Sequence, residues 1–463
     1  MLSYVVFLVS LSVSIVAYRL SPFHPLARFK GPIIVKVSKL WGLWIAGRGS
    51  QYLYHKKLHD QYGPWVRTGP NELSVIDAPA VSQILNFGGL DKGRFYEAHT
   101  AKRRVWNRAV TGAALREYEP LVAKRATQLM SRLVEIYLLN ITRLDVMGDL
   151  AFGGAFEALR EGKDVAGIGE KISAFMTSGV ALSGQIPWIS PTLHLFPQVG
   201  RGVQALNEFS QRLAVQRVEK GGSGVKDLWY HVSDEAGLEK VRPTLESSAT
   251  DGIVAVVGAS DTTVSTMTSL VWFLLSNQEY YRRVRLEIDT VFVDGDDPRD
   301  VSKHEQLQFL SACINETLRL HPPLPSNGPR GVDPKSGGRV IAGRFIPAGT
   351  TVYTPPYALH RNPAYFFPHT DHFVPERWLP GSNFEKHDTS AFIPFSLGPA
   401  NCVGQKFARG EILVVVSLLL KSFDLKFVDG FDSEGWALRR RDYFVATRTP
   451  LLVNLTPRES FIL

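Results

Sequence analysis

Cys402 is the side chain with the most distinctive chemical setting in this chain. It stands in the run Phe395-Ser396-Leu397-Gly398-Pro399-Ala400-Asn401-Cys402-Val403-Gly404, just before a helix expected to begin near Gln405. A cysteine at a helix N-terminus has its thiolate favoured by backbone N–H groups and the helix dipole. Gly398 and Gly404 permit tight turns and the close approach of a flat ligand, and Phe395 is placed to shield the sulfur from water. No second Cys or His lies nearby to complete a tetrahedral zinc site, which leaves one thiolate on one iron, or a buried inert cysteine. Two further sets could carry chemistry. Glu316 and Arg319 are three apart on one helix face, and Arg377 lies in the segment Phe373-Val374-Pro375-Glu376-Arg377-Trp378. Asp261 and Thr262, in Gly258-Ala259-Ser260-Asp261-Thr262-Thr263, pair an acid with an alcohol, a combination that can relay protons. An acid inside a long apolar helix is costly unless it has a role.

These groups must be held by helices for the most part. Apolar periodicity predicts helices over 116–139, 278–291, 305–320 and 411–423. Leu245 to Ser276 is apolar nearly throughout and reads as a buried central helix carrying Asp261 and Thr262. The helix bearing Glu316 is stopped by His321-Pro322-Pro323. Short strands are expected at 65–68, 72–75, 339–342 and 351–354, and Gly221 to Gly224 reads as a loop without the ending of a phosphate loop.

The four motifs, in this order, resemble those of the cytochrome P450 family, and microsomal members from higher fungi in particular. Phe395, Gly398, Cys402 and Gly404 match the family's heme-binding signature. Ala400 departs from it, standing where the family usually has a basic residue that pairs with a heme propionate. The resemblance implies a mainly α fold with small β-sheets and heme b held by the Cys402 thiolate. It implies that Glu316, Arg319 and Arg377 form a buried charge network behind that loop. Ala259 takes the place of a glycine that leaves room for dioxygen, while Thr262 would hold oxygen or water and Asp261 would supply protons. His99 and Arg103 stand at the spacing of the family's W-x-x-x-R segment, with His99 replacing Trp. Arg330 stands where the family places another propionate contact, so these three are the candidates to offset Ala400. Lys102, Arg104 and Arg108 are expected to face solvent or the redox partner. The stretch between Gly93 and His99 is shorter than in most members, which fits either an open substrate pocket or a gap in the gene reading.

By the same resemblance, the activity would be a monooxygenase reaction on a C–H bond of a lipophilic small molecule, terpenoid-like and in fungal secondary metabolism. Its electrons would come from NADPH–cytochrome P450 reductase, with cytochrome b5 as a second candidate donor, because anchor and heme domain use up the chain. Lys406 and Arg409 are candidate contacts for that partner. An isomerase or dehydratase of the same fold, or a relic with impaired heme binding, would be the rival readings.

Composition agrees with one folded catalytic body. The 463 residues include only 2 Cys, which excludes a disulfide scaffold and Cys-rich zinc or iron–sulfur proteins. Net charge is +8, suited to an acidic partner or membrane surface, and no dense basic stripe interleaved with aromatics points to nucleic acid. Residues 1–18 are uncharged and apolar, with Arg19, Arg28, Lys30, Lys36 and Lys39 following. That order predicts a retained single-pass anchor in the endoplasmic reticulum membrane with a cytosolic body, since a cleaved signal needs its basic residues first. Residues 19–40, with Pro22, Pro25 and Pro32, are expected to be a stiff basic linker, and residues 41–463 the heme-thiolate domain. A cytosolic body leaves the Asn-x-Thr triplets at Asn140, Asn315 and Asn454 unmodified.

Overall fold

The computed structural model describes residues 2–92, 103–132, 138–154, 161, 167–180, 184–186, 197–221, 226–293 and 295–458. His99, Lys102, the stretch after Lys92 and most of the glycine loop lie outside them. Helices dominate. The central helix runs Leu245–Ser276, starting where Thr244 caps it by accepting from the Ser247 N–H at 3.2 Å. Gln278–Val291 also matches its expected bounds. The Glu316 helix begins at Gln308 rather than 305, because Val301–Gln306 winds as a 3₁₀ turn capped by Asp300. The C-terminal helix is Gln405–Ser422, beginning at Gln405 as the Cys402 loop led one to expect; apolar periodicity alone started it at 411, since its first turn is polar. Gly112–Arg132 replaces the helix expected from residue 116.

Two hydrophobic cores form. The larger gathers the central helix, Gly112–Arg132, Leu138–Phe152, Gln308–Leu320 and Gln405–Ser422 around residues such as Leu129, Val256, Leu270 and Leu420. The smaller surrounds a five-stranded sheet and the helix Ala78–Leu85. In that sheet Trp65–Gly69 pairs antiparallel with Glu72–Val75, which runs parallel to Thr351–Tyr353. Thr351–Tyr353 then pairs with Arg330–Gly331, whose other neighbour is the edge strand Asp91–Lys92. Ile393 belongs to the small core and Phe395 packs on the large one, so the segment leading to Cys402 crosses between them.

Leu2–Leu20 is a single apolar helix with no buried residue, long enough to cross a membrane. It continues two residues past the expected end at 18. The Pro-rich stretch behind it is docked, not a free spacer. Leu26 and Phe29 are buried in the small core, and the Phe29 and Trp65 rings stack at 6.0 Å. Arg67 donates to the Arg19 carbonyl at 3.2 Å, tying helix end to sheet. Proline stiffness set the path, and burial of two large side chains fixed it to the body.

Candidate active site

The Cys402 loop is shaped by backbone hydrogen bonds and one obligatory glycine. The Cys402 N–H donates to the Phe395 carbonyl at 2.8 Å, and Asn401 N–H to Gly398 O at 3.1 Å. Gly398 has φ +67°, and a Cβ there would lie 2.5 Å from the Leu85 carbonyl oxygen, so only glycine fits against the Ala78–Leu85 helix. Gly404 differs from expectation. Its φ is −83°, and a Cβ would meet nothing within 4 Å, so it leaves open space and makes no left-handed turn.

Cys402 is exposed, whereas the second cysteine, Cys313, is buried. Protein crowds the thiol on its other sides. Burial pushes the Cys402 pKa up, against the pull of the Gly404 N–H and the Arg103 guanidinium. The Gly404 N–H at the helix N-terminus pulls the thiol in the expected direction, and burial outweighs it. Coordination to a metal deprotonates a thiol outright.

Arg103 opens the helix Arg103–Ala109 and reaches the loop directly, donating to the Asn401 carbonyl at 2.6 Å and to its side-chain Oδ1. Arg330 is buried on its two-residue strand. Arg104 faces solvent as expected, while Arg108 is half-buried. Both pair with Glu239, Arg108 at 2.8 Å, which holds the Arg103–Ala109 helix against the loop before the central helix. Arg409 is likewise turned inward, donating to Asn315 Oδ1 at 2.8 Å with its guanidinium 5.3 Å from the Phe395 ring centroid. Lys406 is exposed.

Behind the loop, Glu316 accepts five hydrogen bonds. Arg319 makes a two-pronged pair at 2.8 Å each, and Arg377 Nε, Trp378 Nε1 and the Val374 N–H complete the set at 3.2, 2.9 and 3.0 Å. All three charged residues are fully buried or nearly so. Burial alone would raise the Glu316 pKa, but the bonds and charges of Arg319 and Arg377 win and hold it low. Arg319 also donates to the His360 and Thr370 carbonyls, at 2.9 and 2.6 Å.

Two members of this assembly were not legible from sequence as such. Trp378 stands where the resemblance expects Phe, and only an indole brings an N–H to Glu316. His360 is fully buried, and burial lowers its pKa to about 3. Its neutral Nε2 accepts from the Ile393 N–H at 3.0 Å, so its Nδ1 carries the proton toward Arg319 O at 3.2 Å. It thereby connects the charge network to the segment leading into the Cys402 loop. No spacing rule ties residue 360 to 319 and 393, and a histidine on a buried segment was the only available signal.

On the central helix, Ala259 and Asp261 are half-buried, and Gly258 is exposed in a helix otherwise largely buried. No atom lies within 4 Å of a Cβ built on Gly258. Thr262 Oγ1 donates to Gly258 O at 2.9 Å, one turn back, which leaves its lone pairs available as acceptors. Ser260 and Thr266 bond back in the same way. The central helix packs against Gln405–Ser422, so neighbouring elements carry Thr262 and Cys402.

Residues 94–435 match the family model described as Cytochrome P450. The chain belongs to the cytochrome P450 family. Among relatives of this P450, the cytochrome P450 monooxygenase orf5 of Eupenicillium brefeldianum is 33% identical, over 97% of this chain and 95% of that protein. Cytochrome P450 67 of Uromyces fabae is 31% identical over 97% and 89%. Tryprostatin B 6-hydroxylase of Aspergillus fumigatus is 30% identical over 98% and 84%. The P450 reading from motif order is thus correct, as is the expected class of mainly helical fold with small sheets. Membership makes the chain an oxygenase of a heme-dependent family, and the residues present suit such a group. An exposed sulfur, an uncrowded glycine two residues on, and cations on the adjoining elements are the donor set a thiolate-bound porphyrin dicarboxylate requires.

Proposed function

We propose that this P450 is a membrane-anchored, reductase-dependent monooxygenase in which Cys402 is the iron ligand. The observation that carries the reading is Cys402, an exposed residue at the mouth of Gln405–Ser422, in a chain whose other cysteine is buried. When bound, heme supplies the redox chemistry by which one atom of dioxygen enters a C–H bond and the other leaves as water. The protein supplies the surroundings. Cys402 offers negative charge from sulfur, moderated by the Gly404 N–H. Phe395 packs beside the loop and limits water. Thr262 Oγ1 accepts or passes a proton at the exposed helix face left open by Gly258. Asp261, its neighbour, holds the next proton.

The substrate is a lipophilic small molecule of fungal secondary metabolism, terpenoid-like. The apolar anchor and the relatives support this, one of them named for hydroxylating tryprostatin B. The apolar helix Leu2–Leu20, followed by basic residues, supports a body held at the cytosolic side of the endoplasmic reticulum membrane, within reach of NADPH–cytochrome P450 reductase and cytochrome b5. The exposed Lys406 supports docking of an acidic partner, while the inward-facing Arg409 does not.

The test is the reduced, CO-bound spectrum of purified protein. A strongly red-shifted Soret band is expected, and a band at the position of histidine-ligated heme refutes Cys402. Product formation that requires NADPH and reductase separates the monooxygenase from an isomerase, which would turn over without either.

A further inference from the structure

Three arginines gather where the Glu316 helix ends at His321. Arg440 and Arg448 flank a hairpin, Arg441–Tyr443 with Val445–Thr447, whose outermost pair is Arg441 with Thr447. That register brings both arginines to its open end. Arg361 joins them from just beyond the short helix Pro356–Leu359. Its guanidinium stands 3.8 Å from the Tyr357 ring centroid, and that of Arg440 stands 5.8 Å from the same ring. Arg448 covers the Trp436 ring at 4.8 Å, and Trp436, Trp272 and His321 stack one on the next. Burial first, and then the charges of Arg448, Arg440 and Arg361, hold the His321 pKa well below the usual histidine range. The three cations therefore face one shared region.

The protein does not balance that charge. Arg440 donates from Nη2 to the Pro322 carbonyl, and Arg448 donates from Nη1 to Ser269 Oγ at 2.5 Å. The buried Nε and Nη1 of Arg440, Nε and Nη2 of Arg448 and Nη1 of Arg361 have no acceptor among the described residues. Arg440 and Arg361 are buried as whole residues, and Arg448 is half-buried. Two carboxylates lie near. Asp371 pairs with Arg361 at 3.0 Å from an exposed position. Asp442 is buried, but its oxygens accept from the Ser326 hydroxyl and the Phe444 N–H, and burial pushes its pKa up. Neither Arg440 nor Arg448 forms an ion pair among the described residues. Water would answer the N–H groups but not the charge, and buried charge of one sign is costly without a counter-charge.

We propose that Arg361, Arg440 and Arg448 form a buried site for a small inorganic anion, chloride by its chemistry. Guanidinium N–H groups are strong donors to an anion, and three planar forks from separate elements can converge on one centre. Protein covers the five unpaired nitrogens, so the occupant is compact, a halide and not a phosphate or an organic acid. The anion would tie the base of the hairpin to the segment after Pro356–Leu359. The site uses none of the residues assigned to heme, so the two readings stand or fall separately.

The test is a chloride titration of the full-length protein in detergent. The protein is first exchanged into sodium gluconate, and ionic strength is held fixed so that general screening stays constant. Each tenfold rise in chloride across the millimolar range should raise the melting temperature by about 1–2 °C, the shift that one anion released on unfolding gives a chain of this length. Bromide should act as chloride does. Arg448→Gln removes one charge but keeps a polar head, and it should flatten the titration. Arg282→Gln, on an exposed helix face, should leave the slope unchanged. Crystals grown in bromide give a readout that needs no variant, with an anomalous difference peak expected between Arg361, Arg440 and Arg448. A melting temperature indifferent to chloride overturns the proposal and assigns the unpaired N–H groups to water. A slope that survives Arg448→Gln also overturns it, because the anion then acts elsewhere. Should Arg448→Gln fail to fold, the bromide peak decides, and its absence from the cluster refutes the site.

Discussion

The Cys402 side of the site is held by bonds that cross the chain, whereas the Asp261–Thr262 side is patterned by bonds within one helix. Glu316 collects donors from Arg319, Val374, Arg377 and Trp378, spanning 62 residues of sequence. His360 passes that order on to Ile393 and so to the loop. By contrast Ser260, Thr262 and Thr266 each return their hydroxyl to a carbonyl four residues earlier. The first arrangement over-determines the place of one sulfur. The second leaves the half-buried Thr262 with lone pairs that can serve reactants, beside the exposed Gly258, while Ser260 and Thr266 are buried. A fixed pole and an adaptable pole is what a site needs when one ligand must stay and others must come and go.

Substitutions can break this contrast. The largest effect is expected at Cys402→Ala, which should abolish the red-shifted CO band and all product. An unchanged spectrum in that variant removes Cys402 from the iron. Next is Glu316→Gln, which strands two buried guanidinia and should cost about 3–5 kcal/mol. Thermal and urea unfolding would show it, and a loss under about 1 kcal/mol would mean the network is not the brace described. His360→Phe leaves the Ile393 N–H without its acceptor and should cost about 1–3 kcal/mol, read in the same melts. A melt identical to the unaltered chain would cut the link between network and loop.

Proton linkage sharpens the comparison. Burial sets His55 and His360 to about 3 and His59 to about 4, so all three stay neutral in the fold. Unfolded, each would protonate near about 6.5. Stability is therefore complete above that pH and falls as pH drops from about 6.5 toward 4, by up to about 1.4 kcal/mol per unit for each histidine. Urea midpoints flat across that range would contradict the buried neutral imidazoles. The smallest effect on stability belongs to Thr262→Ala, expected within about 1 kcal/mol. Its effect should appear instead as peroxide released per NADPH consumed. Full coupling with normal product yield would take Thr262 out of the proton path.

Much of this molecule was written locally. The bounds of Leu245–Ser276 and Gln278–Val291 follow from apolar runs, a Thr244 cap and a break at Asn277. The first strand pair, Trp65–Gly69 with Glu72–Val75, fell within one residue of its expected place. Where the first turn of a helix is polar, as at Gln405, periodicity gave the start late. Arginine partners were the least legible part. Arg104, Arg108 and Arg409 look alike as cations in sequence, yet in the fold Arg104 stays exposed while Arg108 and Arg409 are half-buried beside Glu239 and Asn315.

By itself the amino-acid sequence determined which groups are candidates for the chemistry, because a cysteine, an acid–alcohol pair and a glutamate–arginine pair are defined by residue type and short spacing. It also determined the apolar helix Leu2–Leu20, whose hydropathy needs no partner. Only the tertiary structure decided which cations stand together. Lys92 meets Arg330 through strand register, and Arg103 meets Asn401 through packing of a helix on a loop. Contacts between residues 238 and 298 positions apart depend on the closure of the whole chain, and no local propensity encodes them.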